Sequence, residues 1–325
     1  MAGTAPGESE LTKSQPACNR ASRKESEVKA DAFQVITDRI VGLLEQGTIP
    51  WQKPWRGGEM VPRNLISRRE YRGVNVFLLH AMMYESPFWL TFNQAKELGG
   101  HVKKGERACP VVFWKWLEVD ALGEPTGRKT VPFLRYYSVF NVAQCDDIPP
   151  DKIPALNGNK REHSPIEEAE RIVAKMPTRP EIRHGGGRAC YSPSSDRVDM
   201  PQPATFRSGQ DYYSVLFHEL THSTGHESRL NRKGVSASDG EWSAFGSTPY
   251  AREELVAEMG AAFLSGQAGI VERTLDNSAA YIQSWLQRLK DDTRLVVQAA
   301  AQAQKAADFI LGRQDGEQEK GDGVR

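Results

Sequence analysis

Apolar residues recur with the period of a helix from residue 32 onward. They share one helical face and are Phe33, Ile36, Ile40, Val41 and Leu44. The pattern ends at Gly47, a residue typical of helix C-termini. Further elements are predicted in chain order, with helices over 74–83 and 91–98 and strands over 111–119 and 131–142, joined by a turn at 122–127. This order predicts a compact α+β domain over residues 32–145.

Helical periodicity dominates the second half of the chain. After a short helix near 165–175 and a hairpin within 183–201, helices are predicted at 212–224, 250–266 and 278–311. The stretch 146–164 is rich in proline, asparagine and charge, which predicts a linker. Polar composition predicts disorder at 1–31 and 312–325. The predicted fold class is therefore α+β, with two domains and a mainly helical second domain at 165–311.

Composition narrows the class of protein. A chain of 325 residues can form two domains with separate cores, and its formal net charge of +0 favours neither nucleic acid nor membrane. It has no apolar run of about 18 residues and no apolar signal-peptide core at its start. The four cysteines contain no CxxC pair. We therefore expect a cytoplasmic protein with reduced thiols and no membrane partner.

The run HELTH at 218–222 is the most informative feature of the sequence. His218 and His222 are four residues apart, so on a helix both imidazoles lie on one side and can bind one cation. Glu219 is placed to act as a general base in hydrolysis. The apolar residues around the run indicate a helix embedded in a core, which favours a site over a chance match. Zn²⁺ is the expected metal, with Mn²⁺ as the alternative.

A catalytic zinc usually has a third protein ligand. The amphipathic segment 250–264 carries three glutamates, and Glu254 is the predicted ligand. Glu258, one helical turn later, is the alternative ligand or a supporting residue, whereas Glu253 is expected to point elsewhere. His226 is a further alternative, although it follows the predicted end of the helix.

Peptide hydrolysis also needs a hydrogen-bond donor for the developing oxyanion. Tyr250 and Tyr191 carry suitable phenols, and Tyr250 is the predicted catalytic residue. Both remain open to the alternative that they are ordinary core or rim tyrosines.

The first predicted domain has a local excess of positive charge. Residues 51–145 contain 14 Lys and Arg against 8 Asp and Glu, a net charge of +6. Aromatic residues alternate with these cations, and exposed aromatic rings and cations together are typical of single-strand binding. Trp89 and Phe113 are expected in the core. The predicted nucleic-acid-binding residues are Trp51, Lys53, Trp55, Arg56, Arg72, Lys103, Lys104 and Lys115.

Two sets of motifs together resemble one family. The runs LLEQGTIPWQKPW, YRGVN, WLTFNQAKELGGHVKKGE and VFNVAQCDDIP resemble the single-stranded-DNA-binding N-terminal domain of the ArdC family of plasmid anti-restriction proteins. The runs YSPSSDRVDMP, YYSVLFHELTHSTGHESRLNR and YAREELVAEMGAAFL resemble the zincin-like metallopeptidase domain found beside it. The resemblance implies His218 and His222 as ligands, Glu219 as base, and a glutamate of EELVAE, in register Glu254, as third ligand.

The resemblance also implies a protein of a conjugative element that protects incoming DNA from restriction. The leading hypothesis is a single-strand binder that brings a zinc-dependent metallopeptidase to a protein target on DNA. The alternative is a binding module that protects DNA by masking it, with a structural metal. A nuclease or primase accessory factor is disfavoured because the chain lacks clustered aspartates for two-metal chemistry.

Overall fold

A computed structural model describes residues 31–52, 60–120, 128–156, 164–232, 248–270 and 279–313. The helices are α1 (Ala32–Glu45), α2 (Val74–Ala81), α3 (Phe92–Glu97), α4 (Pro165–Lys175), α5 (Gly209–Ser223), α6 (Thr248–Ala268), α7 (Ala279–Asp291) and α8 (Leu295–Ile310). The strands are β1 (Arg63–Asn64), β2 (Phe88–Thr91), β3 (His101–Val102), β4 (Cys109–Asp120), β5 (Arg128–Asn141), β6 (Cys145–Asp146), β7 (Glu181–His184), β8 (Cys190–Ser192) and β9 (Arg197–Met200).

The N-terminal part is built around a four-stranded sheet in the order β1-β2-β5-β4. Its longest pairing is the antiparallel pair β4–β5, which runs in unbroken register from Cys109 opposite Val139 to Asp120 opposite Arg128. β4 is the edge strand, and the side chain of Asn75 binds both the N–H and the C=O of Val112 at 2.7 Å. This amide of α2 thus occupies part of an edge that would otherwise present unpaired backbone groups.

The C-terminal part combines helices with a three-stranded sheet in the order β7-β9-β8. β8 and β9 form the predicted hairpin, and β7 adds to β9 in parallel. Ser164 begins α4 with a capping box, in which its side chain and that of Glu167 each accept the other's backbone N–H. Helices α5, α6 and α8 then pack on one another.

One hydrophobic cluster includes residues from both parts, so they do not have separate cores. Phe77 of α2 stacks on Phe263 of α6 with ring centroids 4.7 Å apart. Trp51, which is 2 % exposed, lies edge-on to Trp285 of α7 at 6.2 Å. A smaller cluster around Leu65 and Leu90 also contains Ile148, from the predicted linker.

Most predicted helices and strands are confirmed within one to three residues, as is the α+β class. The single helix predicted over 278–311 is wrong, because it is divided into α7 and α8. At the break, the Asp292 carboxylate accepts the N–H of Arg294 at 3.0 Å, and Thr37 of α1 donates to the carbonyl of Thr293 at 2.6 Å. Side-chain bonds of this kind compete with the helical pattern. The predicted turn at 122–127 lies outside the described residues, as do nearly all of the two ends predicted to be disordered.

Among the helices that the structure describes, none is long and apolar enough to cross a membrane.

Candidate metal centre

Helix α5 presents the two motif histidines on one side. The helix begins where the Ser208 hydroxyl accepts the N–H of Asp211 at 3.0 Å. Phe217 and Leu220 are fully buried and fix the helix in the core. The Nε2 atoms of His218 and His222 are consequently 3.1 Å apart, with their rings edge-on.

Glu254 of α6 completes a triangle with these imidazoles. Its Oε2 is 3.6 Å from Nε2 of His218, and its Oε1 is 3.6 Å from Nε2 of His222. Ligand atoms about 2.0–2.1 Å from a tetrahedral ion lie about 3.3 Å from one another. The three residues therefore fit a divalent metal with a fourth position left for water or substrate. Among the residues that the structure describes, no other group of three His, Cys, Asp or Glu side chains converges in this way.

A close contact between α5 and α6 helps to bring Glu254 to the histidines. Gly260 of α6 faces Thr221 of α5, and a Cβ atom at Gly260 would lie 2.4 Å from the Thr221 methyl carbon. Only glycine allows the two backbones to approach this closely. Thr221 is itself fully buried and donates to the Phe217 carbonyl at 2.7 Å, so it cannot turn away without losing that bond.

Glu253 supports the centre from the same helix, and the prediction that it points elsewhere is wrong. Its Oε1 is 3.2 Å from Nδ1 of His222, the imidazole nitrogen opposite the candidate metal position. The buried Arg232 binds the same carboxylate with Nη2 at 2.5 Å and Nε at 3.2 Å. Burial alone would raise the pKa of Glu253, but Arg232 and His222 outweigh it and keep the pKa below its usual value. An ionised carboxylate behind a metal-binding histidine fixes its tautomer and orientation.

Glu254 and Tyr250 are hydrogen-bonded partners one turn apart on α6. Burial opposes ionisation of Glu254, but its hydrogen bond to His218 and the two imidazole charges lower its pKa to about 2. Burial and the neighbouring carboxylate raise the pKa of Tyr250 to about 12. The glutamate is therefore an anion suited to a metal, and the phenol stays protonated and able to donate.

Glu219 lies beside the triangle and is held by β8. Its Oε2 accepts the backbone N–H of Tyr191 at 2.8 Å, and the residue is 8 % exposed. The Tyr191 phenol is occupied elsewhere, since it donates to Asp196 at 2.9 Å and accepts from Arg229 at 3.3 Å. Tyr250 is thus better placed than Tyr191 to stabilise an oxyanion.

Neither alternative ligand joins the triangle. The buried Glu258 accepts the indole N–H of Trp51 at 2.9 Å and the hydroxyl of Tyr281, and burial raises its pKa. His226 pairs with Ser228 through Nδ1 at 2.8 Å.

Of the predicted nucleic-acid-binding residues that the structure describes, Trp51 does not lie at the surface. Trp51 was expected to be exposed and is instead buried, because its indole binds Glu258 in the core. Arg72 pairs with Asp308 of α8, and Lys103 donates to the carbonyl of Ala143 at 2.9 Å. Lys104 is exposed. The backbone of Lys115 belongs to β4, while Lys53, Trp55 and Arg56 lie outside the described residues.

Sequence reasoning missed two arginines that organise the centre. Arg232 is bound to Glu253, and Arg229, whose side chain is 1 % exposed, donates to Asp196 and to the Ser223 carbonyl. The run RLNR directly after the motif helix carries both. Two cations just beyond a helix that ends in a metal motif are the signal that could have identified them.

The N-terminal and C-terminal parts of the chain each match a known protein family. Residues 30–140 match the N-terminal domain of anti-restriction factor ArdC, and residues 167–302 match a zincin-like metallopeptidase. The metal-free crystal structure of the antirestriction protein ArdC from plasmid R388 is 38 % identical, with a TM-score of 0.66 over 87 % of this chain and 98 % of that one. Its Mn(II)-bound structure has a TM-score of 0.67 over 89 % of this chain and 100 % of that one.

Two curated relatives show the same likeness. A Sinorhizobium fredii protein, y4eC, is 37 % identical over 87 % of this chain and 92 % of its own length. A DNA primase TraC of Escherichia coli is 35 % identical over 88 % of this chain. This chain spans only 27 % of that primase.

Proposed function

The chain belongs to the ArdC family of anti-restriction proteins, and we propose that it binds single-stranded DNA during conjugative transfer and hydrolyses peptide bonds of a protein target. The observation that supports the peptidase activity best is the triangle of His218, His222 and Glu254 with Glu219 beside it. A DNA-bound protein or a component of a restriction system is the proposed target, in the cytoplasm. Zn²⁺ is the proposed metal and Mn²⁺ the alternative, because imidazole and carboxylate ligands accept both.

The two histidines and Glu254 would hold the metal, which when bound supplies a Lewis acid and lowers the pKa of water at the site. Glu219 is the proposed general base. One of its oxygens is tied to the Tyr191 N–H, so the carboxylate is oriented, and Oε1 is left to take a proton from the attacking water. The same carboxyl group then gives that proton to the leaving amine.

Tyr250 is the proposed donor to the oxyanion. Its phenol is protonated at neutral pH because its pKa is raised to about 12. Its hydrogen bond to Glu254 places it next to the ligand triangle. A donor that stabilises charge only as it develops accelerates the chemical step.

The N-terminal part is the proposed DNA-binding module. Its net charge of +6 over residues 51–145 attracts phosphates, and the exposed Lys104 belongs to this segment. Because unpaired bases expose their faces, aromatic side chains favour single strands over duplex.

The decisive variant is Glu219→Gln, which keeps the shape and the acceptor for Tyr191 but cannot take a proton. We expect loss of protection of an incoming plasmid in a restricting host, with single-strand affinity unchanged. Glu227→Gln, an exposed glutamate in the same segment, is the matched control. Full protection by Glu219→Gln would contradict a catalytic role and favour protection by masking of the DNA.

A further inference from the structure

Exposure changes along the hairpin β4–β5. On one face Val111 is fully buried, whereas Phe113 and Phe133 further along the ladder are exposed; on the other face Leu134 is buried and Tyr136 is exposed. Residues directly opposite in an antiparallel pair share a face, as do alternate residues of one strand. Phe113 is opposite Arg135, and Val111 is opposite Tyr137. Phe113, Arg135 and Tyr137 therefore share one face with Phe133. The other face carries Leu134 and Trp114, and Trp114 packs against Phe33 of α1 at 6.1 Å.

Beyond the buried Val111, this face exposes aromatic rings at positions where polar residues are usual. Phe113 is 39 % exposed and Phe133 is 43 % exposed, so the expectation that Phe113 belongs to the core is wrong. Phe113 lies between Tyr71 and Tyr137, with ring centroids 5.9 and 5.7 Å away. Its ring is therefore held in place by neighbours while one side remains open to solvent.

A cation adjoins these rings. Arg135 is exposed and lies directly across the ladder from Phe113. Within the part of the chain that the structure describes, no carboxylate pairs with it. Large exposed aromatic side chains indicate a binding surface, and an unpaired guanidinium beside them selects an anionic partner.

We propose that this aromatic face, defined by Phe113, Phe133, Arg135 and Tyr137, is where single-stranded DNA binds. Bases stack on Phe113 and Phe133, and the Arg135 guanidinium contacts the phosphate backbone. The proposal rests on the single-strand binding put forward above and assigns it to a surface, in place of the buried Trp51. Duplex DNA is excluded because its bases already stack on one another and offer no free face.

The test measures the affinity of the full-length protein for fluorescein-labelled oligothymidylate by fluorescence anisotropy. Phe113→Ala and Phe133→Ala should each weaken binding about 5- to 150-fold, which corresponds to the loss of one stacked base. Phe92→Ala is the matched control, since Phe92 is 49 % exposed on α3 and should leave the affinity unchanged. If Phe113→Ala fails to fold, Phe113→Leu replaces it, because leucine keeps an apolar side chain but has no ring on which a base can stack.

Arg135→Ala should lower the slope of log affinity against log salt by about 0.7, the contribution of one phosphate contact on a single strand. If the wild type binds the oligonucleotide and the Phe113 and Phe133 variants bind it equally well, the aromatic face is not the binding surface, although single-strand binding itself stands. Absence of binding by the wild type would instead overturn the proposed DNA-binding function itself.

Discussion

Replacement of Gly260 by alanine tests whether the contact between α5 and α6 positions Glu254, the proposed third ligand. The added Cβ would lie 2.4 Å from the Thr221 methyl carbon, whereas carbon atoms in contact are about 3.5–4.0 Å apart. The helices must separate by about 1 Å to relieve the overlap. That displacement moves Glu254 away from histidines whose Nε2 atoms lie 3.6 Å from its oxygens.

The magnitude follows from two opposing effects. Overpacking costs about 1–3 kcal/mol. Alanine recovers up to about 1 kcal/mol of helix propensity relative to glycine. We expect a net loss of about 0–2 kcal/mol in the free energy of unfolding. Because Glu254 is displaced from the two imidazoles, affinity for Zn²⁺ should fall about tenfold, which corresponds to about 1.4 kcal/mol of binding free energy.

The assay combines urea denaturation with a competitive zinc titration. Gly42→Ala in α1 is the control, because its Cβ meets nothing within 4 Å and should be neutral or stabilising. The double variant Gly260→Ala with Thr221→Ala should regain zinc affinity, since the nearest remaining atom of residue 221 is 3.1 Å away. Unchanged zinc affinity in Gly260→Ala alone would refute the reasoning.

Three further predictions concern the surroundings of the site. Glu253→Gln should weaken metal binding about 10- to 100-fold by removing the charge behind His222, and an unchanged zinc titration would contradict this. Trp51→Phe removes a donor from the buried Glu258 and should cost about 1–3 kcal/mol in urea denaturation; a loss below about 0.5 kcal/mol would count against it. Burial lowers the pKa of His80 from 6.5 to about 4. Between these two pH values the unfolded chain therefore binds a proton at His80 that the folded chain does not, which favours unfolding as pH falls. The contribution of His80 to the free energy of unfolding should therefore fall by up to about 3 kcal/mol from pH 7 to pH 4. In His80→Gln, urea denaturation at the two pH values should show a smaller difference.

Local patterns account for what the sequence predicted correctly. The helices α1, α5 and α6 and the strands β4 and β5 follow from periodicity within one element. The placement of His218 and His222 on one side needs only the four-residue spacing. The register of a family motif predicts Glu254 as the third ligand. Its distance from the imidazoles depends on how α6 packs on α5, which the sequence pattern does not contain.

Long-range contacts account for the errors. Trp51 lies in a proline-rich segment of the sequence, yet it is buried: its ring packs edge-on to Trp285, and its N–H donates to Glu258, distant in sequence. Glu253 turns toward His222 because Arg232 holds its carboxylate. Phe113 is a large apolar residue, yet its ring is 39 % exposed, while Val111 on the same face of the strand is fully buried. For Trp51 and Glu253 the deciding partner lies elsewhere in the chain, where periodicity carries no information.

The metal content of the purified protein tests the central claim most directly. Elemental analysis of the wild type should find about one Zn²⁺ or Mn²⁺ per chain. His222→Ala and Glu254→Ala, each folded by circular dichroism, should contain none. Wild-type protein without metal after supplementation with either ion, or full metal content in both variants, would contradict the account.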